Sequence, residues 1–232
     1  MLPVSENVLQ DVLKKLDISD INNATIRQCV NVDHELEHIS GEKFVHLEFG
    51  IPGIAACQIG VDAQKKALDS GYASVYPPAC GIQELKDNGA RFVKAFTGID
   101  INPEGIVPTT GSMQGCYNLL LECSQLNPDK DTVVYLNPGF PSHYVQAKVI
   151  GLKTRMFDIY DCRGELRRDK LESLFSDGKV CAIVYSNPNN PSWVCLTEAE
   201  LKILGEMCTK YDVIALEDMA YMCMDFRKDR SV

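Results

Sequence analysis

Val180-Cys181-Ala182-Ile183-Val184-Tyr185-Ser186 runs directly into Asn187-Pro188-Asn189-Asn190-Pro191-Ser192, and a second apolar run, Val213-Ile214-Ala215-Leu216-Glu217, comes after Glu198–Tyr211. The first run is short, continuous and rich in β-branched residues, the pattern of a strand buried on both faces. The Asn-Pro steps that follow make a turn. Thr197 and Glu200 then form a capping box, and Leu201, Leu204, Cys208 and Tyr211 recur at helical spacing. One β–α–β unit is therefore legible between residues 180 and 217.

Working outward, the same alternation continues. β-rich runs are expected at Gly105–Thr109, Thr132–Leu136 and Thr154–Asp158, and helices near Gly111–Ser124, Pro141–Ile150 and Arg168–Phe175. Strands alternating with helices predict an α/β fold with a mostly parallel sheet and helices on both faces. In such folds ligands bind beyond the carboxyl ends of the strands. The first 45 residues read as helical and polar, with Leu9, Val12, Leu13 and Leu16 on one face. A strand-like piece from Phe44 leads to Gly50-Ile51-Pro52-Gly53, which marks a boundary between an N-terminal arm (1–50) and a larger domain (51–232).

Composition narrows the function. The 232 residues are 45% hydrophobic and 24% charged, an ordinary globular profile, and the formal net charge of −9 argues against a polyanionic partner such as nucleic acid. The ten cysteines include no Cys-x-x-Cys pair and no accompanying His cluster, so no metal site is expected. Several, such as Cys181 and Cys208, fall in apolar stretches and read as buried thiols of a reducing, cytoplasmic compartment. Met1–Gln10 lacks a basic segment followed by an apolar one, so no signal peptide is expected, and no apolar run approaches membrane-spanning length.

Four turns follow strands and carry candidate chemistry. Pro108–Gln114 is small and polar and opens a helix; it is either a plain capped turn or an anion site built from free N–H groups, with Thr110, Ser112 and Gln114 as added donors. Asn137–Tyr144 presents Phe140, which is core or a surface for stacking on a planar ligand. Ser186–Ser192 is a turn that can also hold an amide donor toward a ligand oxygen. Glu217-Asp218-Met219-Ala220-Tyr221 puts an acid at a strand end. Partly desolvated there, Asp218 needs a partner, such as a protonated ring nitrogen, or else it caps a helix.

These four turns, in this order, resemble the fold-type I enzymes that use pyridoxal 5′-phosphate, and within them the class I/II aminotransferases. Tyr76-Pro77-Pro78-Ala79-Cys80-Gly81-Ile82-Gln83-Glu84-Leu85 and Phe49-Gly50-Ile51-Pro52 are similar to two further segments of that family, so the resemblance spans about residues 45–225. It implies a three-layer α/β/α domain and a homodimer. It also implies a site in which Gly111, Ser112 and Met113 receive the cofactor phosphate, Met113 through its backbone N–H. Phe140 would stack on the pyridine ring, Asn190 and Tyr221 would donate to its phenolic oxygen, and Asp218 would bind its nitrogen. Tyr76 would reach the neighbouring subunit's phosphate, and Gly50 would lie against the substrate carboxylate.

The reaction implied is transfer of an amino group between an amino acid and a 2-oxo acid. The alternatives are another reaction of the same cofactor, such as C–S bond lysis or decarboxylation, or a non-catalytic binding or regulatory module. Two departures matter. Pro191 is followed by Ser192-Trp193 where the family has Thr-Gly, which leaves the path of that turn open. The family's cofactor-bearing lysine lies a few dozen residues beyond the Asp-x-x-Tyr motif, whereas the sequence runs only from Asp218 to Val232. Lys228 is too early to be that lysine. The 232 residues are thus expected to lack both it and the substrate-binding arginine, and to be catalytically silent by themselves.

Overall fold

A computed structural model describes residues 4–48, 50–51 and 53–224; Phe49, Pro52 and Lys228 lie outside the described residues. The chain divides into two compact units, Met1–Val75 and Tyr76–Val232.

In the first unit α1 (Glu6–Lys15) and α2 (Ile26–Ser40) pair through Val12, Leu13, Ile18, Val32 and Leu36, all buried. Ser5 caps α1, and Thr25 with Gln28 forms a capping box on α2. A further helix, α3 (Gln58–Asp69), has no buried residue. The strand-like piece expected from Phe44 is irregular backbone.

The second unit opens with α4 (Gln83–Thr97), which the sequence reading did not identify, and then alternates: α5 (Gly111–Leu126), β1 (Thr132–Asn137), α6 (Pro141–Ile150), β2 (Lys153–Asp158), α7 (Leu166–Phe175), β3 (Val180–Ser186), α8 (Glu198–Tyr211) and β4 (Ile214–Asp218). Among the described residues all strand pairs are parallel, and the order is β2-β1-β3-β4. The expected α/β architecture with a parallel sheet is therefore the observed one. The strand expected at Gly105–Thr109 is not there. Pro103–Gly105 is a single 3₁₀ turn and Ile106 is extended but unpaired. Pro108 carries no N–H for a ladder, and isolated extended backbone is not a strand.

Side chains of the central strands alternate between two layers. Val134, Leu136, Ile183 and Tyr185 join Leu171 and Phe175 of α7 and Ile203, Leu204 and Met207 of α8. Val133, Tyr135 and Val184 join Leu120 and Cys123 of α5 and Ala147 of α6 on the other face. The β1–β3 register slips between Thr132 and Val133, so Cys181 and Ala182 both face α5 and α6. One extra residue there restores the alternation farther along. β2 and β4 are the edge strands, and in β4 Ile214, Ala215 and Glu217 are exposed.

Glu200 ties the α7–α8 layer together. Its carboxylate accepts from Arg163 Nε (2.6 Å), Arg167 Nη2 (3.2 Å) and the N–H groups of Gly164 (3.0 Å) and Thr197 (3.0 Å). Burial opposes its charge, but these donors prevail and hold the carboxyl well below the usual carboxylate range. The buried Arg167 guanidinium also sits 5.0 Å over the Phe157 ring.

Candidate functional site

Because the strands are parallel, Asn137, Asp158, Ser186 and Asp218 all end at one edge of the sheet; Asn137 pairs with Asp158 and Ser186 with Asp218. The turns after β1, β3 and β4 therefore converge there. Cys116, one turn inside α5, lies within 4.8 Å of both His143 and Asp218, so the N-terminus of α5 reaches the same edge.

Asp218 is the electrostatic centre. Its Oδ2 is 3.3 Å from His143 Nε2, and its Oδ1 accepts from the Ala220 N–H at 3.2 Å. The hydrogen bond from His143 holds the Asp218 carboxyl below its ordinary value, against the effect of burial. Conversely, burial pulls the His143 imidazole down, but its bonds to Asp218 and Cys116 raise it to about 9. Each partner thus favours the charged form of the other. His143 is placed by the first turn of α6. Phe140 is the N-cap residue, Pro141 starts the helix, the His143 N–H donates to the Phe140 carbonyl, and Tyr135 Oη donates to the His143 carbonyl at 2.9 Å. The Phe140 and His143 rings meet edge to face, with centroids 5.4 Å apart.

The sequence reading missed His143. Its signal was there to read: His143 stands three residues after Phe140, on the same face of a helix that begins with Pro141.

At the start of α5, Gly111 takes φ +76°, a conformation glycine adopts freely. The N-cap residue Thr110 makes no side-chain cap. Gln114, expected as an outward donor, instead accepts from the Thr110 N–H at 2.6 Å, and the Thr109 hydroxyl donates to the Gly111 carbonyl. Gly111, Ser112 and Met113 are exposed at this end. The Met113 carbonyl accepts from Gln146 Nε2 at 2.8 Å, and its side chain lines an apolar groove with Tyr117, Val145 and Val149.

The turn after β3 resolves the path left open by Ser192-Trp193. Ser192 donates through its N–H and its hydroxyl to Asn189 Oδ1 (3.2 and 2.6 Å), and the Asn190 N–H donates to Ser186 Oγ at 3.1 Å. Trp193 takes a left-handed backbone, φ +59°. Its indole lies 6.0 Å from the Tyr221 ring. Asn189, Asn190, Trp193 and Tyr221 line one small cavity. The buried Asn189 Nδ2 has no hydrogen-bond partner among the described residues.

Phe140, Asn190, Asp218 and Tyr221 thus occupy turns at one sheet edge, which the helix opened by Gly111 and Ser112 reaches through Cys116. Tyr76, the first residue of the second unit, is fully exposed and not gathered with them. Gly50 belongs to the first unit, with no described atom within 4 Å of where a Cβ would stand.

A family model for aminotransferases of class I and II matches residues 44–230. Aspartate aminotransferase of Bacillus subtilis is 28% identical over 183 residues, covering 78% of this chain and 45% of that protein. Aspartate aminotransferase of Pyrococcus horikoshii is 29% identical over 182 residues, again 78% of this chain and 45% of the relative. The solved structure of alanine aminotransferase from Pyrococcus furiosus aligns with a TM-score of 0.76 at 22% identity, over 88% of this chain and 51% of that one, and shares its fold. The chain spans about half the length of the relatives it matches.

Proposed function

The chain belongs to the class I and II aminotransferase family, whose cofactor is pyridoxal phosphate, and we propose that it forms the cofactor-binding part of an enzyme moving an amino group between an amino acid and a 2-oxo acid. The observation that carries this reading is the Asp218 carboxylate at the end of β4, 3.3 Å from His143 Nε2, on the sheet edge that the start of α5 reaches through Cys116.

The residues present fit the cofactor. Asp218 offers an anion to a protonated ring nitrogen. Asn189 Nδ2, buried beside Asn190 and Tyr221, calls for an acceptor oxygen that the described residues do not supply. The exposed turn at Gly111–Met113 opens a helix whose first N–H groups suit a phosphate.

Bound there, pyridoxal phosphate supplies an electron sink for charge developing on the amino acid. Asp218 holds a proton at the ring nitrogen. His143 and the Ala220 N–H keep Asp218 charged and aimed. Phe140 covers the ring, and Asn190 and Tyr221 donate to its phenolic oxygen. Gly111, Ser112 and Met113 bind the phosphate through backbone and hydroxyl donors. Tyr76 reaches the phosphate loop of a second copy in a homodimer, and Gly50 lies against the substrate carboxylate. An arm over residues 1–50 and a cofactor domain over 51–232 belong to the same proposal. The family match starting at residue 44 supports that partition, whereas compactness divides the chain at Val75.

Cytoplasmic residence is supported by ten free thiols, of which Cys123 and Cys208 are pushed by burial up to about 11 and stay protonated. No described helix is long and apolar enough to cross a membrane.

The test is a titration of the chain, and of a longer frame containing it, with pyridoxal phosphate, followed by borohydride trapping and peptide mass spectrometry. Saturable binding lost in Asp218→Ala, with a trapped lysine beyond Val232 and turnover of amino-acid and 2-oxo-acid pairs in the longer frame, is the expected result. Binding indifferent to Asp218, or a stoichiometric trap on a lysine within residues 1–232, overturns the assignment. Elimination or decarboxylation without amino transfer would move the protein to another reaction of the same cofactor.

A further inference from the structure

Cys116 takes no part in the proposed cofactor chemistry, yet its Sγ, a ring nitrogen of His143 and a carboxylate oxygen of Asp218 all lie within 4.8 Å of one another. They come from α5, α6 and β4, and whole helices and strands separate them along the chain. No spacing motif could announce them, which is why the sequence pointed to no metal site. His143 is buried and the other two are half-buried, so the three donors converge in a shielded place and not on open surface.

The geometry can be compared with what a cation requires. A tetrahedral zinc ion sits about 2.0–2.1 Å from its nitrogen and oxygen ligands, which sets those two atoms about 3.3 Å apart. His143 Nε2 and Asp218 Oδ2 are 3.3 Å apart. A thiolate about 2.3 Å from the metal would stand about 3.6 Å from each of the others, within reach of a small rotation about the Cys116 side chain. Sulfur, imidazole and carboxylate together form a donor set for zinc or cadmium rather than for magnesium or calcium. A cavity of about 170 Å³, lined by Cys116, Leu120, Val184 and Asp218 among others, leaves room for a water as fourth ligand.

We propose that Cys116, His143 and Asp218 bind one zinc-class divalent cation when the cofactor is absent, and that cation and cofactor exclude each other. Binding displaces two protons, the Cys116 S–H proton and the one that His143 Nε2 donates to Asp218; both leave to solvent, and nothing is oxidised or reduced. The exclusion rests on the proposed reading of Asp218 as the partner of the ring nitrogen, because one carboxylate oxygen cannot serve a metal and a ring N–H in the same place. The metal site itself does not depend on that reading.

The probe is Co²⁺, whose bond to a thiolate gives a charge-transfer band in the near ultraviolet. The cofactor-free chain is titrated beside Cys116→Ala, Asp218→Asn and, as a control for the other thiols, Cys57→Ala, with far-ultraviolet circular dichroism confirming that each folds. The expected result is one equivalent bound with the band present, affinity lowered at least about a hundredfold in Cys116→Ala and Asp218→Asn, and no change in Cys57→Ala. Loss of a supporting group around a metal already costs about 10–100-fold, and a direct ligand should cost at least as much. A band that persists in Cys116→Ala, or no stoichiometric binding, overturns the site; if Cys116→Ala does not fold, unchanged cobalt affinity in Asp218→Asn overturns it instead. Pyridoxal phosphate is then added. Release of cobalt supports the exclusion. A ternary complex overturns the exclusion and the ring-nitrogen role of Asp218, and leaves the metal site standing. Cofactor binding that depends on Asp218 in a chain that takes up no cobalt overturns the metal site alone.

Discussion

His143 Nε2 stands 3.3 Å from Asp218 Oδ2, linking the first turn of α6 to the last residue of β4. Both side chains are shielded, at 5% and 12% exposure, so solvent screens this charge pair little. It sets the charge on the group proposed to meet the cofactor ring. His143→Phe keeps a planar ring against Phe140 and removes the donor. The expected outcome is cofactor affinity about tenfold lower, by analogy with the loss of a supporting group around a bound metal, read from the absorbance of bound pyridoxal phosphate. Unchanged affinity would remove His143 from the site.

Asp218→Ala in the longer frame should leave the fold intact and lower turnover at least about a hundredfold, the scale of losing one preorganised electrostatic contact. Single-turnover rates together with circular dichroism check this. Near-normal turnover would mean that another group holds the ring proton.

Glu200→Ala leaves the buried Arg167 without its carboxylate, and Arg167 Nε and Nη1 already lack partners among the described residues. Breaking a buried pair on one side costs about 3–5 kcal/mol, whereas Thr197→Ala, which removes only the cap, should cost about 1 kcal/mol. Urea midpoints of the two variants separate the roles. Equal losses would reduce Glu200 to a capping residue.

The same carboxyl predicts acid sensitivity. Glu200 is held below its unfolded value of 4.5, and Asp177, hydrogen-bonded by Arg155 and the Lys179 N–H, is lowered from 3.8 to about 2. Groups with depressed folded values stabilise the protein fully above their unfolded values, and that contribution fades as the pH falls through the folded ones. The melting temperature should therefore hold near pH 6 and fall from about pH 4.5 toward about 2, with a flatter profile in Glu200→Gln. Asp177 is half-exposed and adds little. A Glu200→Gln profile parallel to the parent's would refute the linkage.

Trp193 holds a left-handed backbone, which costs a residue with a Cβ about 1–2 kcal/mol. Trp193→Gly should therefore be more stable than Trp193→Ala by about 1 kcal/mol, while both lose the ring that leans on Tyr221. Thermal melts of the pair test the strain. Cofactor titration of either variant tests whether Tyr221 needs its neighbour. Equal stabilities would show that the turn relaxes out of the left-handed region.

Features that depend on near neighbours in the chain were open to reading. Val180–Ser186 is a strand because its β-branched and apolar residues cannot be satisfied on a wet surface. Thr197 and Glu200 form a capping box because they stand three apart, and the structure contains it with both reciprocal bonds. Gly111 begins a helix, and Asp218 ends a strand. Strand-end turns in a parallel α/β chain must share one edge, so the neighbourhood of Phe140, Asn190, Asp218 and Tyr221 followed from the order of elements alone.

Other features had no local cause. An extended stretch such as Gly105–Thr109 becomes a strand only if a partner lies beside it, and Pro108 offers no N–H to one. Glu200 looks like a cap from its spacing, but its burial among Arg163 and Arg167 depends on how α7 and α8 pack over the sheet. Cys116 and His143 meet Asp218 only because the crossovers bring α5, α6 and β4 to one point, and nothing in the long stretches of chain between them encodes that meeting. Hydrogen-bond periodicity and side-chain size act over a few residues and are written into the sequence in order. Convergence of charge is a property of the packed layers, and it exists only once the loops between them have closed.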